Sequence, residues 1–173
     1  MNKLIVGLGN PGEEYKNHFH NLGFMMIEQL SDDFKFNKKF NAEICFLDEE
    51  TILCKPQTIM NLSGDAVSKI VKEYKIETSN ILVLHDDLSV KIRKWRYETE
   101  VQKTSHNGIR DICAKIGNDF CRIRIGAGKP KLYEDIASID WVLMDIPEAL
   151  RQHYDVVFPE IENKIKEWIN ERE

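Results

Sequence analysis

The chain has 173 residues, 42% hydrophobic and 31% charged, with a formal net charge of −5. That length suits one well-buried core and is short for two, so a single domain over 1–173 is expected. No apolar run approaches the ~18 residues of a membrane span, and Met1-Asn2-Lys3 leads straight into a strand pattern with no signal-peptide cleavage region. A membrane partner is therefore not expected, and a cytoplasmic monomer is.

In chain order, 3–8 is an apolar strand ended by glycines, and a polar loop follows to about 17. Phe24, Ile27, Leu30 and Phe34 recur at helical spacing and predict a helix over 20–33. Segments 42–47 and 51–54 read as a hairpin around Asp48-Glu49-Glu50. Ser63 is placed to cap a helix over 64–75. The apolar strand 81–84 carries His85-Asp86-Asp87 to its end, and 90–96 alternates as a half-exposed strand with a basic face. A helix starts at Asn107 and ends at Gly117. A last strand over 121–125 runs into a turn at Gly126-Ala127-Gly128, and an amphipathic helix spans about 159–169.

Strands alternating with helices predict an α/β fold: one domain with a twisted, mixed but mostly parallel β-sheet and helices on both faces. Ligands of such sheets gather beyond the carboxyl ends of strands, which would bring Asn10 and Asp86 into one cleft. Cys45, Cys54, Cys113 and Cys121 sit in or beside apolar runs without a CxxC pair, and read as free buried thiols.

Charge is segregated. Residues 91–131 hold 11 Lys/Arg against 4 Asp/Glu, whereas 132–173 hold 4 against 11. A basic block on an otherwise acidic chain fits a phosphate-facing surface as well as a solvated ribbon and helix face.

Four motifs set Asn or His where a loop meets a regular element: Gly7-Leu8-Gly9-Asn10-Pro11-Gly12, His18-Phe19-His20-Asn21, the Lys55–Gly64 stretch with Met60-Asn61, and His106-Asn107-Gly108. An imidazole exchanges protons near neutral pH, and carboxamides donate and accept hydrogen bonds without charge, a set suited to hydrolysis of a neutral acyl group. The first motif matches GxGxxG, but Pro11-Gly12-Glu13-Glu14 turns where a dinucleotide fingerprint needs a helix start. Gly126-Ala127-Gly128-Lys129 lacks Walker spacing, and His18-x-His20 has no second pair for a metal.

Taken together the motifs resemble the bacterial-type peptidyl-tRNA hydrolases. The family's VGLGNPGxxYxxTRHNxG opening matches Val6–Gly12, Tyr15, His20-Asn21 and Gly23, and its KPxTFMNxSG matches Lys55-Pro56, Thr58, Met60-Asn61 and Ser63-Gly64. HDELD, GGHNG and RIGIGRP are recognisable at His85–Leu88, His106–Gly108 and Arg124–Pro130. The resemblance implies hydrolysis of the ester joining peptide to tRNA, with peptidyl-tRNA as partner and no metal or organic cofactor. It assigns His20 as catalytic base, Asp86 as its partner, and Asn10, Tyr15, Met60, Asn61 and Asn107 as substrate-binding groups. Arg93, Lys94, Arg96, Lys103, Lys129 and Lys131 are the candidates for the tRNA backbone.

The chemistry agrees with that assignment. A neutral imidazole can take the proton of an attacking water, a helix-start position favours the neutral ring, and a carboxylate can fix its tautomer. His85 and His106 are expected to be supporting or structural. The chain departs from the pattern at His18-Phe19, at Ser89, and in 97–105, which lacks the usual glycines and is expected to form a stiffer ribbon than a mobile lid. The rival reading is a non-catalytic, RNA-binding relative.

Overall fold

The computed structural model describes residues 2–171. Seven strands form one sheet in the order β2-β3-β4-β1-β5-β7-β6: β1 Lys3–Gly7, β2 Lys35–Asn37, β3 Ala42–Phe46, β4 Thr51–Pro56, β5 Ile81–Lys91, β6 Trp95–Glu98 and β7 Cys121–Gly128. The central strands β4, β1, β5 and β7 are parallel; the outer pairings β2–β3, β3–β4 and β6–β7 are antiparallel. The mixed sheet with a parallel centre is as expected.

Strand alternation splits the core into two layers. Ile5, Leu53, Leu82, Leu84, Ile123 and Ile125 face α1 (Leu22–Glu28), α4 (Ser138–Val142) and α5 (Glu148–Asn170). Leu4, Val6, Cys54, Ile81 and Val83 face α2 (Ser63–Tyr74) and α3 (Asn107–Ile116). Trp141 is fully buried, stacks on Phe19 at 4.4 Å between centroids and donates its indole N–H to Ala127 O at 2.7 Å.

Several expected boundaries move. The helix expected over 20–33 is a 3-10 turn, Phe19–Asn21, followed by the short α1. After Glu28 the bonds Gln29 N→Met26 O and Leu30 N→Ile27 O tighten the chain, and the next residues enter edge strand β2. Leu30 and Phe34 still pack on the core, which is why they mimic the helical period. Ser63 is not the cap of α2: its hydroxyl donates to Met60 O, and Asp111 on α3 accepts from Gly64 N at 2.8 Å instead.

Segment 90–96 is not one strand but the end of β5 and the start of β6 joined by a turn. β5 continues to Lys91, the chain turns with Arg93 at φ 76°, and β6 begins at Trp95 on the far side of β7. Crossing the end of β7 brings Lys91 O into the space that a Cβ at Gly126 would need, and Gly126 N donates to Lys94 O at 2.9 Å. Gly126–Gly128 therefore belong to β7, not to a turn. The last helix begins at Glu148, eleven residues before its expected start, and takes Pro159 into its interior.

Gly23 sets how closely α1 approaches the sheet. A Cβ there would lie 2.5 Å from Leu8 N and nearer still to Leu84 O, so the helix rests on bare backbone between β1 and β5. Gly23→Ala is expected to lower stability by about 1–3 kcal/mol through overpacking, read as a lower urea midpoint at unchanged slope; a midpoint equal to wild type would show that α1 can shift freely.

Candidate functional site

The cleft lies beyond the carboxyl ends of β1 and β4, where the chain enters α1, α2 and α3, but Asp86 reaches it from the middle of β5, not from the expected strand end. The cleft has a volume of about 350 Å³, and Asn10, His20, Met60, Asn61, Asp86, His106 and Asn107 line it together with an apolar wall including Ile59, Leu88, Ile139 and Leu143. Six of the seven residues expected for catalysis and substrate binding therefore meet. Tyr15 does not: it stands edge-on to His18, 5.4 Å between centroids, outside this lining.

At the floor, Asp86 on β5 is 2% exposed. Its carboxylate accepts from His20 Nδ1 at 2.9 and 3.0 Å, leaving Nε2 for the cleft. The same carboxylate accepts from His106 Nε2 at 3.0 Å. His106 is the N-cap of α3, its Nδ1 accepting from Ile109 N at 3.3 Å. A ring that accepts at Nδ1 carries its proton on Nε2, so His106 donates to Asp86 from that nitrogen. His20, Asp86 and His106 are also the residue types of a metal centre, with ligand atoms within 4.8 Å of one another. The capping bond presents a proton, not a lone pair, from His106, and the trio is built for hydrogen bonding. His18, two residues from His20, faces Asp145 instead, at 3.6 Å.

Burial would raise the Asp86 pKa, but the charges and hydrogen bonds of His20 and His106 overturn this and hold it far below the usual carboxylate range. For His20, burial would lower the pKa; the Asp86 charge and hydrogen bond more than reverse it, placing the ring above 6.5. The helix-start effect expected to favour neutral imidazole is thus outweighed. His85, fully buried with Nδ1 donating to Asp86 O at 2.8 Å, is pushed well below 6.5 by burial and then by His106 and Arg122, and stays neutral.

Asn10 is held on three sides. Its Oδ1 accepts from Met60 N at 2.9 Å, while Asn21 accepts from Asn10 N and donates to Asn10 O at 2.9 and 3.0 Å. With Oδ1 engaged, the Asn10 side chain has its N–H₂ left for the cleft. Asn61 and Asn107 are exposed at the rim. Met60 is buried, with its sulfur against Gly108 at the start of α3, where a Cβ would come within 2.8 Å. Sequence reasoning missed Asn21 as a clasp and His106 as an Asp86 partner, although both lie inside the quoted motifs; nothing in the sequence marked Ile139 or Leu143.

The basic candidates divide. Arg93, Lys129 and Lys131, with Lys91 and His153, line a hollow of about 580 Å³ that has no carboxylate in its lining and shares Leu88 with the cleft. There Arg93 Nε lies 3.1 Å from His153 Nδ1, and Lys129 Nζ donates to Ile136 O. Lys94, Arg96 and Lys103 are exposed elsewhere. Other cations of the block are already matched: Arg122 with Glu98, Arg124 with Asp87 and Glu98, and Lys115 with Asp65 and Asp111. Segment 99–105 is pinned by Val101 N→Asn118 O, Asn118 Nδ2→Val101 O and Arg122 Nη2→Lys103 O.

A buried carboxylate orienting an imidazole beneath an amide-lined cleft is the arrangement of a hydrolase that uses general-base catalysis. The peptidyl-tRNA hydrolase family model matches residues 4–173. Among curated relatives, the peptidyl-tRNA hydrolase of Rickettsia canadensis is 37% identical over 96% of this chain and 97% of its own length. That of Bartonella quintana is 46% identical over 73% and 69%. A crystal structure of a peptidyl-tRNA hydrolase with N-propanol superposes with a TM-score of 0.86 at 36% identity, covering 97% of this chain and 88% of the other; one from Acinetobacter baumannii gives 0.81 at 34%, over 98% and 93%. The chain belongs to the peptidyl-tRNA hydrolase family.

Asp86→Asn removes the charge that raises the His20 pKa. NMR titration of the His20 ring is expected to move its midpoint to lower pH; an unchanged midpoint would mean that another group sets it.

Proposed function

We propose that the protein hydrolyses the ester between a peptide and the terminal ribose of tRNA, with His20 as general base. The observation that carries this is the His20–Asp86 bond through Nδ1, which fixes the proton on that nitrogen and leaves the Nε2 lone pair for a water in the cleft. As water attacks the ester carbonyl, Nε2 takes its proton and Asp86 stabilises the resulting imidazolium. The Asn10 amide donates to the developing oxyanion, and Asn61 and Asn107 at the rim engage peptide groups without regard to side chain. When the tetrahedral adduct collapses, the acyl C–O bond breaks and the ribose oxygen recovers the proton from His20. The products are a peptide acid and tRNA with a free hydroxyl. The apolar wall at Ile59, Leu88, Ile139 and Leu143 accommodates peptide side chains of varied shape.

The tRNA backbone is met by the basic candidates, with the hollow at Lys91, Arg93, Lys129 and Lys131 the part next to the cleft. The chain acts as one domain and as a monomer in the cytoplasm. Its four free cysteines suit a reducing compartment, and among the described residues no helix is long and apolar enough to cross a membrane. The non-catalytic rival has little support, since the full His–Asp–Asn set is kept in one cleft.

Incubation with a short peptidyl-tRNA tests the activity. His20→Ala is expected to lower the rate by about 10²–10⁴-fold; wild-type turnover in that variant would sink the assignment. The base works when neutral, so the rate falls as pH drops through the His20 pKa, and the acid limb should lie above 6.5. In Asp86→Asn the plateau should fall while that limb moves to lower pH. Doubly substituting Lys129→Ala and Lys131→Ala should flatten the slope of log affinity for tRNA against log salt by about 1 per lost phosphate contact; an unaltered slope would place the tRNA elsewhere.

A further inference from the structure

We infer that His106 is a positioning residue of the hydrolytic centre, acting on His20 through Asp86. The inference rests on the reading of His20 and Asp86 as base and partner. Two bonds define the role, one from each ring nitrogen. Nδ1 accepts from Ile109 N in the first turn of α3, and Nε2 donates to the same Asp86 oxygen that lies 2.9 Å from His20 Nδ1. The helix thus selects the tautomer. As long as the Ile109 N–H points at Nδ1, the only proton on a neutral ring faces the carboxylate. Asp86 is thereby held from two sides and cannot rotate away from His20 without leaving a buried donor unmatched.

The groups around the carboxylate leave this task to His106. His20 approaches from the turn before α1, and His106 from the start of α3. On β5, the His85 ring spends its Nδ1 on Asp86 O, not on the side chain. From α5, Tyr154 feels the Asp86 charge but gives its hydroxyl to Gly126 O at 2.8 Å. Arg122 on β7 acts on His85 and is paired with Glu98. His106 is therefore the second side-chain donor to Asp86 among the described residues. Its donation also draws off part of the negative charge that His20 senses. Losing it should strengthen the Asp86–imidazolium attraction and raise the pH at which His20 becomes a working base.

Two substitutions separate the two nitrogens. The Asn side chain places its polar end near the Nδ1 position and remains a good N-cap, whereas Gln reaches the Nε2 position with an N–H₂. His106→Asn is expected to keep the α3 cap, lower the urea midpoint only by what the lost Asp86 bond contributes, lose about tenfold in kcat with little change in KM, and shift the acid limb of the pH–rate profile upward, as follows from losing a hydrogen bond to a buried charge. His106→Gln should recover most of kcat and the wild-type acid limb while melting earlier, its cap being lost. Wild-type kcat and pH profile in His106→Asn would overturn the inference, as would equal kcat losses in both variants. If His20→Ala is inactive while His106→Asn behaves as wild type, only this inference fails; full activity in His20→Ala removes the catalytic reading itself.

Discussion

One buried carboxylate organises the molecule. Asp86 sits within a parallel strand at the sheet's centre, almost without solvent, and remains charged because ring N–H groups from two different helix approaches point at it. An ion in that position would be costly if unpaired, so the fold has to deliver both imidazoles to within hydrogen-bonding distance. Gly23 lets α1 settle on bare backbone and brings the preceding turn, with His20, over β5. The start of α3 supplies His106, and the Asn10–Met60 bond links the loop after β1 to the turn before α2. Packing and polar satisfaction are one problem here, solved at the mouths of three helices.

The same logic governs the surface charge. Counted along the chain, the block from 91 to 131 is strongly basic, yet Arg122, Arg124 and Lys115 are committed to Glu98, Asp87, Asp65 and Asp111. Of the remaining cations, Lys91, Arg93, Lys129 and Lys131 gather around a hollow without carboxylates, whereas Lys94, Arg96 and Lys103 stand exposed elsewhere. The matched arginines anchor the 99–105 segment through Glu98 and Lys103 O, which takes over the constraint that a glycine-rich segment would lack.

Much of this was readable beforehand. Apolar runs marked β1 and the first part of β5, and short motifs marked Asn10, His20, Met60-Asn61 and Asn107, because a loop residue at the end of a buried strand can point to only a few places. The failures have specific causes. Residues 90–96 alternate like a strand, but the period is interrupted by a chain crossing that only the pairing of β5 and β6 on opposite sides of β7 reveals. Pro159 reads as a helix start, and tertiary packing of Tyr154, Val157 and Ile161 carries α5 through it. His106 looks like a cap and is one; its second bond reaches a residue twenty positions away, which no local pattern encodes. Ile139 and Leu143 line the cleft from a segment with no periodicity.

The two outermost strands are unusually short, β2 with three residues and β6 with four. A long, flat border would offer a row of unspent backbone donors and acceptors to any neighbouring molecule. Here that row is brief at both margins, with Lys35 at one and Arg96 and Glu98 at the other. The parallel strands β4, β1, β5 and β7 are each paired on both sides, so the backbone left open to templated pairing is confined to those two brief margins.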